Sequence, residues 1–199
     1  MLTRKNIELF AKLLDGRLKT GTFMTEDSVR DTCLNAMFSN GICRHTDVVL
    51  EKPNPTIEKA KLDAVVTARD NEPSMAFEFK YSRKNPGQTN QPRTQKAGDV
   101  FNDVFRLARV PESTAKFTYF VYLTDCEMAS YFRNPPSGLR DFFQLREGES
   151  FKLTPDFVAR RAETFRRRVK TNEIECAATS IFSREIANEH SLRIYEIEA

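Results

Sequence analysis

The chain has 199 residues, 40% of them apolar, sixteen Phe and a net charge of only +3. That suffices for one substantial core and excludes a disordered or strongly polyionic chain. Cys33, Cys43, Cys126 and Cys176 form no C-x-x-C pair, and His45 and His190 are isolated. Neither a disulfide framework nor a structural zinc site is expected. With no apolar run approaching a membrane span and no signal-peptide core over residues 1–12, the sequence points to a soluble, cytoplasmic protein without a membrane partner.

In chain order, Ile7, Phe10, Ala11 and Leu14 predict a first short helix, which Asp15-Gly16 stops. Thr25 is placed to cap a second helix, with Glu26 and Asp27 in its first turn and Val29, Cys33, Ala36 and Met37 as its buried stripe. Asn40-Gly41 ends it. Residues 47–51 predict a strand closed by Pro53-Asn54-Pro55. Residues 61–68 and 74–82 predict two buried strands joined by a hairpin through 69–74. A loop over 84–94 leads to the clearest helix, with Ala97, Val100, Phe101, Val104, Leu107 and Ala108 as one stripe and Pro111 beyond its end. Gln95, Asp99, Asp103 and Arg106 line another side, where Asp103 and Arg106 are spaced to pair.

Residues 117–123 predict an almost wholly apolar strand. Thr124-Asp125 then caps a short helix over Met128, Tyr131 and Phe132. Beyond residue 140 an accessory layer is expected. Residues 142–145 and 150–153 form its hairpin, and Thr154-Pro155 starts a helix through Phe157, Arg161, Phe165 and Val169. Residues 174–183 and 192–197 are its late strands. With no internal repeat, residues 1–199 are expected to form a single domain.

Two of these strands carry charge where a core strand should be apolar. Side chains alternate along a strand, so Glu78 and Lys80 project together, about 7 Å apart, while Phe77, Phe79 and Tyr81 point the other way. The hairpin brings Asp63 beside them. Unpaired charge is costly in such a place, and a divalent metal held by the two acids would compensate it. Without His or Cys nearby, the donor set selects a hard cation. The competing reading of the trio is a structural ion-pair cluster. Glu51 reads equally as a further acid near Asp63 or as a solvated strand end. Lys80, Arg83, Lys84, Arg93 and Lys96 fall in one stretch without an acid. Arg160, Arg161, Arg166, Arg167, Arg168 and Lys170 crowd a second. Both are candidate footprints for a nucleic-acid backbone, the second equally a solvated helix face.

Asp63 followed by Glu78-Phe79-Lys80 resembles the signature of the PD-(D/E)XK nuclease superfamily, which includes many restriction endonucleases. The order helix, three strands, helix, strand over residues 25–123 is similar to that superfamily's core. Leu62 stands where the family's name has proline. The resemblance implies an α/β (α+β) restriction-endonuclease-like fold, a central mixed sheet flanked by helices over about residues 25–135, with a C-terminal α/β extension over about 140–199. It implies metal-dependent phosphodiester hydrolysis, of which a DNA endonuclease is the leading form. Mg²⁺, with Mn²⁺ as substitute, would be held by Asp63, Glu78 and the Phe79 backbone carbonyl, and Lys80 would orient or activate the attacking water. Glu26 gains a second reading, as an extra acid near the metal, beside the simpler one of a first-turn surface acid. Gln95 becomes a candidate support for the lysine or the DNA. A module that binds nucleic acid without cutting, and an RNA nuclease, would use the same residues. A homodimer is attractive if both strands are cut.

Overall fold

The strand that carries Glu78 and Lys80, β3 (Met75–Ser82), has both faces covered, and the other elements are arranged about it. The computed structural model describes residues 1–67, 74–84, 91–170 and 173–199. The remaining elements are α1 (Arg4–Lys19), α2 (Glu26–Ser39), β1 (Val48–Pro53), β2 (Lys61–Val66), α3 (Arg93–Ala108), β4 (Phe117–Thr124), α4 (Cys126–Arg133), α5 (Arg140–Phe143), β5 (Ser150–Leu153), α6 (Pro155–Ala159), α7 (Glu163–Arg166), β6 (Cys176–Ile186) and β7 (His190–Glu198). Most of the turn predicted over 69–74 and of the loop over 84–94 lies outside the described residues.

Among the described residues seven strands form one sheet, ordered β1-β2-β3-β4-β7-β6-β5. β3 and β4 run parallel across α3, and the other neighbours are antiparallel. The protein is therefore α+β, a mixed sheet flanked by helices. Alternation along the strands decides the layers. Phe77 and Phe79 join Tyr119, Val121 and Ile194 against Ile7, Phe10, Leu14, Val29 and Met37 of α1 and α2. Ala76 joins Val65, Phe120 and Tyr122 against Val100, Phe101, Val104 and Leu107 of α3. Glu78 and Lys80 continue the Ala76 row and so lie on the α3 side. No helix among the described residues is long and apolar enough to cross a membrane.

Several elements depart from the sequence expectations. α1 runs through Asp15-Gly16 to Lys19, because Leu18 extends the buried stripe of Leu14. A glycine inside a helix costs about 1 kcal/mol, less than fully burying a leucine, about 1.5–3 kcal/mol. β1 begins at Val48, after a 3₁₀ turn over His45–Asp47, and includes Pro53, which its edge position tolerates. Residues 142–145 are no strand. Phe142 and Phe143 are adjacent and both fully buried, which a strand pointing them to opposite faces of a hairpin does not explain. The helical turn of α5 sets Phe142 against Phe101, with ring centroids 4.8 Å apart, and Phe143 against Phe132 at 5.1 Å. β5 pairs with β6 instead.

The helix predicted from Thr154 onward is broken into α6 and α7 at Ala162, whose backbone is extended. Phe157 and Phe165 both pack on Phe101, at 5.1 and 5.4 Å. On a straight helix eight residues separate them by about 12 Å. α7 also crosses α3 at Gly98, where a Cβ would come within 2.7 Å of both the Phe165 carbonyl oxygen and Arg168 Cβ. The late strands are not a separate layer, since β7 inserts beside β4 and continues the central sheet.

Candidate active site

The β2–β3 ladder pairs Val66 with Met75, Val65 with Ala76 and Ala64 with Phe77, and stops there. One step further along, Asp63 and Glu78 are the next residues in register. Two backbone donors of β3 beyond this point are taken by carboxylates. Asp63 Oδ2 accepts the Phe79 N–H at 2.7 Å, and Glu26 Oε2 accepts the Tyr81 N–H at 3.1 Å. Buried backbone donors require partners, so the opening of the ladder draws two acids onto the strand edge. Glu26 is placed there by the start of α2, fixed by a capping box between Thr25 and Ser28.

Lys80 and Glu78 meet α3 on the same face. Lys80 Nζ stands 3.1 Å from Asp103 Oδ2 and 3.5 Å from Glu26 Oε2. Arg106 Nη2 lies 2.6 Å from Glu78 Oε1 and also donates to the Lys61 carbonyl, while Nη1 donates to Asp103 Oδ1 at 3.0 Å. The cluster thus holds four carboxylates, Glu26, Asp63, Glu78 and Asp103, against the cations Lys80 and Arg106. Burial, and next the Asp63 charge, push Glu78 well above the ordinary carboxylate value against the pull of Arg106. Burial likewise raises Asp63 and Glu26. For Lys80, burial favours the neutral amine, but Asp103 and Glu26 outweigh it and hold the ammonium above its ordinary pKa. A site with surplus carboxylates that favour protons has room for further positive charge.

Among the described residues no three His, Cys, Asp or Glu side chains form a ready metal cage. A magnesium site needs no such cage; one or two carboxylates with water and substrate oxygens suffice. Asp63 and Glu78, next in register at the open ladder, are carboxylates of the kind such a site uses, and Glu78 already lies against the Arg106 guanidinium. By donor chemistry the pair would suit a hard divalent ion.

The other predicted residues fall in several places. Glu26, whose simpler reading was a surface acid, touches both Lys80 and the Tyr81 backbone, although its side chain is 42% exposed. Glu51 occupies the β1 position between the partners of Ala64 and Leu62, opposite Asp63, with φ of 50°. Its carboxylate turns to Arg30 at 3.4 Å and Lys61 at 3.9 Å. Gln95 lies half-buried in the first turn of α3, and the polar contacts to Lys80 and Glu78 come instead from Asp103 and Arg106. Phe79 is buried in the sheet. Arg83 stacks over the exposed Phe23 ring at 4.1 Å, and Lys84 is exposed. Arg93 pairs with Glu127, Arg160 with Asp156, Arg167 with Glu163 and Arg168 with Asp99, so four of the candidate phosphate contacts already have acidic partners. Arg166 is exposed. The sequence signalled Asp103 and Arg106 only as a mutual helical pair; their polarity beside an apolar stripe was the available sign of a wider role. Comparison of the chain with protein-family models, curated proteins and solved structures gave no match.

Proposed function

We propose that the chain is a metal-dependent nuclease that hydrolyses phosphodiester bonds in DNA, built on the core of the PD-(D/E)XK superfamily. The observation that carries this reading is the meeting of Asp63 and Glu78 where the β2–β3 ladder opens, with Lys80 on the same face. The order α2-β1-β2-β3-α3-β4, with β3 and β4 parallel, supports it as well. Asp63, Glu78 and the Phe79 carbonyl would hold Mg²⁺, or Mn²⁺ in its place. Such an ion supplies a nucleophilic water, charge for the crowded phosphate and support for the leaving oxygen.

Hydrolysis forms a bond from a water oxygen to phosphorus and breaks one P–O bond, whose departing oxygen takes up a proton. Lys80 enters as an ammonium, held by Asp103 and Glu26. It therefore acts as a fixed donor, orienting water and stabilising negative charge that grows on the phosphoryl oxygens. Asp63 and Glu78 also fix the strand edge, through the Phe79 N–H and the Arg106 guanidinium.

Incubating the protein with DNA and RNA, with Mg²⁺, Mn²⁺ or EDTA, tests the reading. Metal-dependent cleavage of DNA that Asp63→Ala and Glu78→Ala abolish supports it, and preference for RNA would change the substrate. A second reading, a module that binds nucleic acid without cutting, draws on the pairing of Lys80 and Arg106 with acids inside the cluster. Binding without cleavage under every metal would favour it.

A further inference from the structure

We propose that Arg106 is a resident counter-cation of Glu78, and that its guanidinium and a divalent ion occupy this carboxylate alternately. The inference rests on the metal-site reading above. Glu78 is nearly sealed, its side chain 3% exposed, and Arg106 Nη2 lies 2.6 Å from its Oε1. A guanidinium at that distance blocks one approach to the oxygen and repels a second cation there. Without a cation, Glu78 would be a buried, uncompensated charge or would have to take up a proton, so Arg106 holds its ionised form whenever the metal is away.

The guanidinium has a second anchorage. Nη1 is bound to Asp103, one turn earlier on α3, through an oxygen separate from the one that holds Lys80. When an ion takes Glu78, Arg106 stays tethered to Asp103 rather than becoming a free charge. Its present pose is also incompletely satisfied, because the buried Nε has no hydrogen-bond partner among the described residues. A group bound strongly at two corners and unsatisfied at the third is suited to a two-position role.

The test titrates Mn²⁺ alone into the full chain, without nucleic acid, and counts free ion by electron paramagnetic resonance. Arg106→Met should bind Mn²⁺ about tenfold or more tightly than the parent, since removing a charged hydrogen-bond partner is commonly worth that factor. In EDTA the same variant should melt at a lower temperature. Arg106→Lys keeps the charge but cannot bridge Lys61, Glu78 and Asp103 together, so it should bind a few-fold more tightly than the parent. It also carries the test if Arg106→Met does not fold without metal. Affinity in Arg106→Lys equal to the parent's would reduce the effect to charge and overturn alternate occupancy. Unchanged or weaker affinity in Arg106→Met, with binding still lost in Asp63→Ala, would overturn the inference and leave the metal reading intact. Failure of all forms to bind Mn²⁺ removes both. A merely structural arginine would lower the melting temperature without raising affinity.

Discussion

Asp103 divides its two oxygens between the two cations of the cluster, Oδ2 to Lys80 at 3.1 Å and Oδ1 to Arg106 at 3.0 Å. Asp103→Asn keeps the shape but offers one acceptor oxygen and one amide donor. One of the two cations must then face a donor. A hydrogen bond to a charged group is worth about 1.5–3 kcal/mol, and breaking a buried ion pair costs about 3–5 kcal/mol. Lys80 is 26% exposed and Arg106 20%, so water replaces part of the loss. Removing the negative charge also relieves repulsion with Asp63, Glu78 and Glu26. The expected net destabilisation is about 2 kcal/mol, between the buried and surface limits. Urea unfolding in EDTA near neutral pH measures it. The Lys80 pKa, which burial lowers but Asp103 and Glu26 together hold high, should fall in the same variant, as followed by NMR of ¹³C-methylated lysine. A loss under about 0.5 kcal/mol with an unchanged Lys80 titration would refute the reasoning, because Asp103 would then be solvated rather than holding the amine.

On the proposed nuclease reading, Lys80→Ala should lower single-turnover DNA cleavage by about 10²–10⁴ while leaving DNA affinity nearly unchanged; cleavage at the parental rate removes Lys80 from the chemistry. In EDTA, Glu78 has a native pKa above its unfolded value because burial penalises its charge, so it binds more protons folded than unfolded. Its contribution is best below the ordinary carboxylate pKa and worsens as pH rises through the native one. Wild type should therefore lose stability relative to Glu78→Gln on going from mildly acidic to neutral pH, and an opposite trend in urea midpoints would contradict the burial. Gly98→Ala gains about 1 kcal/mol of helix propensity but sets a Cβ 2.7 Å from the Phe165 carbonyl and Arg168 Cβ. Overpacking costs about 1–3 kcal/mol, so the variant should melt below wild type; a higher melting temperature would mean that α7 yields freely.

Where one strand's alternation decides the faces, the sequence could be read. Glu78 and Lys80 interrupt an apolar run at period two, which places them on one side, and the antiparallel register of β2 and β3 puts Asp63 next in line beside Glu78. Partners brought from a distance were less legible. Glu26 looks like any first-turn acid until α2 meets the Tyr81 N–H, 55 residues away. Asp103 and Arg106 satisfy a local rule, and nothing in that rule shows that each has a second partner on β3. The short run around Phe142 and Phe143 suits a strand or a buried helical turn equally, and only Phe101 and Phe132 decide between them. The break at Ala162 has the same origin, two phenylalanines converging on one ring.

β7 lies between β4 and β6, and this has a consequence for biosynthesis. Every residue of the cluster, from Glu26 to Arg106, has left the ribosome before residues 190–198 have been joined to the chain. Until then β4 has β3 on one side and an open row of backbone groups on the other, where Tyr119 to Thr124 later pair with β7. An unpaired strand edge of that length, flanked by Phe120 and Tyr122, is a template for association with neighbouring nascent chains. Translation speed over the residues that follow β4, and any chaperone that covers this edge, should therefore influence the yield of folded protein.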